Sequence, residues 1–148
     1  AAATYYRPRR RVRATYHLPG AAGGLYSTAE DMGRWLTLYA PGSSIRAELL
    51  GETAFRSLLE PQGPMTIEGV DTGGSGYALG HATWTSPDGT FYVFHAGGNP
   101  GLRAFYFVSP ETGNGMFLVA NHDDGTAVFR ELLDAWGAHY GAAPPPLF

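Results

Sequence analysis

The chain of 148 residues contains neither cysteine nor lysine. The lack of cysteine excludes disulfides, thiol nucleophiles and thiolate-bound zinc. All ten basic residues are arginine, so a lysine general base is excluded as well. Charged residues make up only 16% of the chain and the formal net charge is −3. This balance gives no general reason to expect a nucleic acid or a membrane surface as a partner.

Long apolar runs are also lacking, and no segment approaches the length of a membrane span. The opening residues have no apolar stretch followed by a cleavage site, so we expect no signal peptide in this chain. A hydrophobic content of 44% is too high for a disordered protein. We therefore predict one domain over residues 1–148, with a core of its own.

Five arginines lie in the segment RPRRRVR, residues 7–13. Such a cluster can bind phosphates. A solvated loop or an edge strand explains it equally simply. We favour a solvated loop or edge strand over a phosphate-binding site, because the rest of the chain is acidic and no nucleic-acid motif accompanies the arginines.

The first half of the chain predicts helices. Ser27 and Glu30 have the spacing of a capping box, and an amphipathic stripe of core type follows, formed by Met32, Trp35, Leu36 and Tyr39. Pro41 and Gly42 end this helix. A second helix is predicted over residues 52–60, and residues 62–76 are expected to form a loop.

The second half predicts an antiparallel sheet of about four strands, over residues 77–84, 90–96, 102–109 and 114–121. TSPDG and PETG provide two hairpin turns. The central strands are apolar on nearly every residue, so both faces of the sheet should be covered. A final helix over residues 125–140, capped by Asp123 or Asp124, packs on the sheet. The fold class is α+β.

The segment FYVFHAGGNPG, residues 91–101, combines a buried strand with a polar end. His95 follows four residues of strand-forming type, and Gly97 and Gly98 allow a ligand or another chain to approach the backbone. Exposed amide N–H groups beside an imidazole suit acyl transfer. A strand that simply stops is the alternative.

Three segments carry a resemblance to a known family: AGGLYSTAEDMGRWL, HAGGNPGLRAFYFVSPETGNGMFLVAN and the closing helix. Over residues 20–140 the chain resembles the C-terminal half of the serine β-lactamase and penicillin-binding-protein-like family. It is most similar to the branch of class C β-lactamases, DD-carboxypeptidases and family VIII esterases. These proteins are serine acyl hydrolases, so the resemblance implies a partial β-lactamase fold and a small acyl substrate: a β-lactam, a peptide or an ester.

The resemblance also implies site residues. The family's third motif, a Lys-, His- or Trp-x-Gly triplet on the strand beside the active site, matches His95-Ala96-Gly97. The residue after the triplet supplies an oxyanion-hole amide, which here is Gly98, and Asn99 is then a substrate contact. No cofactor and no metal are implied, and bacterial relatives of this kind act outside the cytoplasm.

Two motifs of the family do not occur here. Ser-x-x-Lys requires a lysine, and none of the three asparagines, at 99, 114 and 121, follows Tyr or Ser by two residues. We therefore predict that the chain is inactive alone and supplies the His95–Gly98 wall of an active site. An upstream segment or a second chain would supply the nucleophile. The alternative is a non-catalytic binding or interaction module. Both the enzyme part and the binding module could self-associate.

Other site types fit the sequence less well. A Ser-His-Asp triad has candidate residues, but no G-x-S-x-G elbow. His81, His95, His122 and Asp123 lack the close spacing of a metal motif, so they are interpreted as ordinary polar residues near strand ends.

Overall fold

The structure is a computed structural model that describes residues 5–7, 10–12, 23–66 and 74–146. Most of residues 1–22, residues 67–73 of the predicted 62–76 loop and residues 147–148 lie outside these ranges. The arginine-rich segment is described only as the backbone of two short antiparallel strands, β1 (Tyr5–Arg7) and β2 (Arg10–Val12).

The main sheet has six antiparallel strands in sequential order, which confirms the α+β class and adds two strands to the four expected. The strands are β3 (Gly63–Pro64), β4 (Gly76–Tyr77), β5 (Ala82–Thr85), β6 (Phe91–Asn99), β7 (Leu102–Val108) and β8 (Gly115–Ala120). The predicted strand 77–84 is wrong as one element. It is interrupted by a turn in which Ala78 N–H donates to the His81 carbonyl and Gly80 has a φ of 90°.

Both faces of the sheet are covered, as the apolar strands predict. Helix α4 (Gly125–Tyr140) covers one face through Phe129, Leu133 and Trp136. These residues pack on the strand residues of the same face: Ala82, Tyr92, Phe94, Phe105, Phe107 and Leu118. The bounds of α4 agree with the predicted helix. Asp124 occupies its N-cap, but its side chain makes no capping hydrogen bond.

The other face is covered by the helices of the first half, which are α1 (Ala29–Leu36), a 3₁₀ turn (Thr37–Tyr39), α2 (Ser44–Leu49) and α3 (Gly51–Leu59). A second core forms there from Leu36, Leu38, Tyr39, Phe55, Val93 and Val108. The predicted N-cap was wrong by one residue. Thr28, rather than Ser27, accepts the Asp31 N–H at 3.1 Å, and the same hydroxyl donates to the Asp31 carboxylate at 3.0 Å.

Helix α2 was not predicted, because its six residues contain no buried side chain and so show no apolar stripe. Arg46 holds it in place instead. Its guanidinium lies 4.2 Å above the centre of the Phe55 ring and donates to the carbonyls that end the 3₁₀ turn: Leu38, Tyr39 and Ala40. The helical layer is thereby tied together beside the sheet.

Candidate active site

Strand β6 extends beyond its neighbour on one side. It pairs with β7 over residues 93–99, but with β5 only over residues 91–94. Residues 96–99 are exposed, and no strand of the described ranges pairs with β6 on the β5 side beyond Phe94. The segment that carries His95, Gly97, Gly98 and Asn99 is therefore an open sheet edge.

The register determines which amides this edge presents. Ser86 N–H donates to the Thr90 carbonyl at 2.9 Å and closes the β5–β6 hairpin. Since N–H and C=O groups alternate in direction along an antiparallel strand, Tyr92 and Phe94 face β5, and Ala96 and Gly98 continue in the same direction. In the β7–β8 hairpin, Ser109 N–H donates to the Asn114 carbonyl, so Ser109 faces β8. By alternation Tyr106 then faces β6, and the N–H and C=O groups of its partner His95 face β7. The N–H of Gly98 thus faces the open edge.

The imidazole of His95 is half-buried and held between two tyrosines. Tyr106, its cross-strand partner on β7, lies nearly parallel to it, with an interplanar angle of 18° and ring centres 6.4 Å apart. The hydroxyl of Tyr77 on β4 is 3.2 Å from His95 Nε2. This hydrogen bond connects β4 to β6 just beyond the end of β5, the strand that lies between them. The ring is thus fixed on one face and at one nitrogen.

Gly97 and Gly98 lie in ordinary extended backbone rather than in the conformations reserved for glycine. Neither has a positive φ, so an unusual backbone conformation does not explain them. A Cβ on Gly97 would meet no atom within 4 Å, and one on Gly98 would lie 3.4 Å from a guanidinium nitrogen of Arg103. Their lack of side chains leaves the edge open to an approaching molecule.

The turn that follows the edge is held by charge-assisted hydrogen bonds. Arg103 donates to the backbone carbonyls of Asn99 and Leu102, at 3.0 and 2.7 Å, and pairs with Asp123 at 3.2 Å. Asp123 also accepts the Gly101 N–H at 2.9 Å, and Gly101 has a φ of 80°. Asp123, one of the two candidate caps of the last helix, therefore anchors the turn after Asn99.

Behind Tyr106 lies an apolar cleft of about 410 Å³ between the sheet and the helices. It is lined mostly by large apolar and aromatic side chains: Trp35, Leu38, Tyr39, Leu49, Leu50, Leu58, Leu79, His81 and Tyr106, together with Gly80. Trp35 is 37% exposed and contacts Tyr106 edge-on, with ring centres 4.9 Å apart. The expectation that Trp35 belongs entirely to the core was therefore wrong.

Burial governs the titration of the groups around the cleft. It raises the pKa of Tyr39 to about 12, and it raises the pKa of Tyr106 further. Both phenols therefore keep their protons at neutral pH. His81 is 3% exposed and its Nε2 has no hydrogen-bond partner in the described part of the chain. Burial lowers the pKa of His81, a backbone hydrogen bond with Leu58 partly offsets this, and the charge of His95 lowers it further.

The remaining candidate ligands are not assembled into a site. His122 Nδ1 accepts the Asp124 N–H at 3.0 Å at the start of α4. No group of three or more His, Cys, Asp or Glu side chains in the described ranges is arranged to hold a metal ion.

Three residues near His95 were missed by the sequence analysis. Tyr106 was recoverable, because the Asn99–Leu102 pairing of the hairpin places it opposite His95. The contact of Tyr77 with His95 could not be predicted, because the segment before Tyr77 gives no strand signal. His81 was treated only as a metal candidate, and nothing in the pattern indicated its burial.

The sequence model of the beta-lactamase family matches residues 1–139. The chain belongs to the beta-lactamase family. This is a family of serine acyl hydrolases, and the antiparallel sheet flanked by helices is consistent with part of its fold. Searches of curated proteins and of solved structures found no match. None of the helices in the described ranges is long and apolar enough to cross a membrane.

Proposed function

We propose that residues 1–148 are a single domain, the C-terminal part of a serine acyl hydrolase, and that this domain supplies one wall of the acyl-transfer site. The observation that carries the proposal is the open edge of β6. It presents the Gly98 N–H near the His95 imidazole, on the part of β6 that extends beyond its pairing with β5.

The chemistry required of this wall is the stabilisation of negative charge. Attack of a serine on an ester, amide or lactam carbonyl forms a tetrahedral intermediate whose oxygen is anionic. A backbone N–H fixed by a sheet and facing that oxygen stabilises it without reorganising. Gly98 provides such a donor, and the absence of a side chain at Gly97 keeps the approach open.

His95 and Asn99 have different roles in this proposal. The His95 imidazole positions the polar end of the substrate or carries protons near the nucleophile. Asn99 lies at the exposed end of the strand and contacts the substrate there. Its backbone carbonyl is held by Arg103, so the position of the turn is fixed relative to Gly98.

The nucleophile must come from outside this chain. Activation of serine in this family depends on a lysine three residues later, and the chain has no lysine. We propose that a preceding segment or a separate chain carries Ser-x-x-Lys and Tyr-x-Asn. The substrate is a β-lactam, a peptide or an ester, and the enzyme is of β-lactamase, DD-peptidase or esterase type.

The test compares the isolated chain with the product of the full reading frame. Nitrocefin, p-nitrophenyl esters and a fluorescent penicillin serve as probes. We expect no turnover and no covalent labelling of the isolated chain, and turnover by the full product that a serine-directed acylating agent stops. In the full product, His95→Ala should lower kcat/KM by roughly 10²–10⁴. His139→Ala, at an exposed position of α4, is the matched control.

Two results would contradict the proposal. One is stoichiometric acylation of the isolated chain. The other is wild-type kcat/KM for His95→Ala on every substrate that the full product hydrolyses. A full product that acylates no probe would favour the alternative function, a binding module built on the same scaffold.

A further inference from the structure

Tyr77 contacts the candidate site residue His95 but belongs to no motif used above. It lies in β4, a strand of two residues, and 18 positions separate it from His95 in sequence. Its ring meets the imidazole edge-on, with ring centres 6.2 Å apart and an interplanar angle of 67°. The hydroxyl reaches Nε2 at 3.2 Å. Both the ring contact and the hydrogen bond orient His95.

We propose that Tyr77 is a positioning residue for His95: its hydroxyl donates to Nε2, holds the proton of the neutral ring on Nδ1 and leaves Nδ1 as the nitrogen that serves the reaction. This inference rests on the proposed function for its catalytic part. Its structural part, the tautomer of His95, stands independently of that function.

A phenol can donate to a ring nitrogen or accept from it, and the tautomer of His95 distinguishes the two arrangements. A phenol has a proton to donate at neutral pH, and a neutral imidazole has one nitrogen that accepts. The partner of one ring nitrogen determines where the ring proton resides. In the proposed arrangement Tyr77 donates to Nε2, so the ring proton resides on Nδ1. Tyr106 lies nearly parallel to the imidazole, with ring centres 6.4 Å apart, and borders it on one side.

The position of Tyr77 explains why the bond forms at this place. Beyond Phe94 no strand of the described ranges continues β5 along β6, and the turn at residues 78–81 brings β4 back beside the gap. A side chain from β4 therefore reaches the imidazole where a continuing strand would have covered it. The same gap leaves the Gly98 amide open, so the oriented imidazole and the amide belong to one opening.

The first experiment measures the tautomer directly in the isolated chain by ¹⁵N NMR of the His95 ring. Wild type should show a protonated Nδ1 and an accepting Nε2 at neutral pH. Tyr77→Phe keeps the ring contact and removes the hydroxyl, so we expect the proton to redistribute toward Nε2. Tyr140→Phe is the control. Tyr140 is another exposed tyrosine beside a histidine, with its ring centre 4.7 Å from that of His139.

The second experiment measures kcat and KM in the product of the full reading frame. We expect Tyr77→Phe to lower kcat by roughly 10- to 100-fold, as a misplaced reacting group does, with KM and thermal stability nearly unchanged. Tyr140→Phe should match wild type in both quantities.

The outcomes separate the two claims. An identical His95 tautomer in wild type and Tyr77→Phe overturns the positioning role. A changed tautomer with unchanged kcat, in an enzyme that His95→Ala inactivates, overturns the catalytic part while the proposed function stands. If His95→Ala also keeps full activity, the proposed function fails, and the tautomer result still decides whether Tyr77 orients the ring.

Discussion

At the scale of single residues, Gly98 is the position where the proposed chemistry depends on one backbone N–H. Gly98→Pro removes this donor, because proline has no amide hydrogen. Loss of one oxyanion donor should lower kcat of the full enzyme by about 10²–10³.

Gly98→Ala is the matched control for this prediction. It keeps the N–H, and its Cβ would lie 3.4 Å from a guanidinium nitrogen of Arg103, which is an ordinary van der Waals contact and requires no movement of that side chain. Kinetics must be accompanied by thermal unfolding of both variants. Equal losses of kcat in the proline and alanine variants, at equal stability, would show that the amide does not bind the oxyanion.

His81 makes a prediction about acid stability. Its pKa in the folded state lies below the ordinary value of 6.5, chiefly because burial disfavours the charged ring. The unfolded chain therefore binds more protons than the folded one, and the free energy of unfolding should fall as the pH drops below 6.5 toward the folded-state pKa.

Denaturant unfolding at pH 7.5 and 5.5 tests this expectation. In His81→Gln the decrease between the two values should be smaller than in wild type, because a glutamine does not titrate. His139→Gln, at an exposed position, should retain the wild-type decrease. Indistinguishable decreases in wild type and His81→Gln would remove His81 as the source of the effect.

At the scale of elements, two helical glycines should respond to alanine in opposite directions. Gly125 begins α4, and a Cβ there would collide with the side chain of Ala120 on β8. Gly33 lies inside α1, where a Cβ would meet no atom within 4 Å. Gly125→Ala should destabilise the protein by about 1–3 kcal/mol through overpacking. Gly33→Ala should stabilise it by about 0.5–1 kcal/mol through helix propensity.

Denaturant unfolding of the two glycine variants measures both values. If Gly125→Ala were stabilising, α4 would have room to move away from β8, and the close contact of the two elements would not be required by the fold.

The elements also show what a sequence can predict. Helix α4 and the hairpins around residues 85–90 and 109–114 were predicted correctly, because long periodic stripes and Gly-containing turns are local signals. Helix α2 buries no residue, and β3 and β4 have two residues each, so none of them has a pattern to detect. In the site, His95 and its glycines had a motif, whereas Tyr77 reaches His95 only through tertiary structure.

At the scale of the whole molecule, the apolar cleft behind Tyr106 leaves large side chains in water. Leu49 is 67% exposed and Leu79 is 53% exposed. Together with Trp35 they line one continuous opening beside the proposed catalytic edge. Contiguous apolar surface of this kind indicates an interaction site. If the nucleophile comes from a preceding segment or a second chain, that partner must lie next to β6, and the cleft is the adjoining surface it would cover.

We therefore expect the isolated chain to bind a complementary segment or to self-associate through the cleft. Replacing both Leu49 and Leu79 with serine should abolish concentration-dependent association in light scattering and lower the binding of an apolar dye.

The control replaces Val128 and Leu132, which are 54% and 42% exposed on α4, with serine. Removal of exposed apolar side chains there should leave association unchanged, because that face lies on the opposite side of the sheet. A strict monomer at high concentration that binds no dye and no preceding segment would show that the exposed leucines are ordinary surface residues. Equal effects of the two double variants would instead indicate nonspecific hydrophobic association without a defined surface.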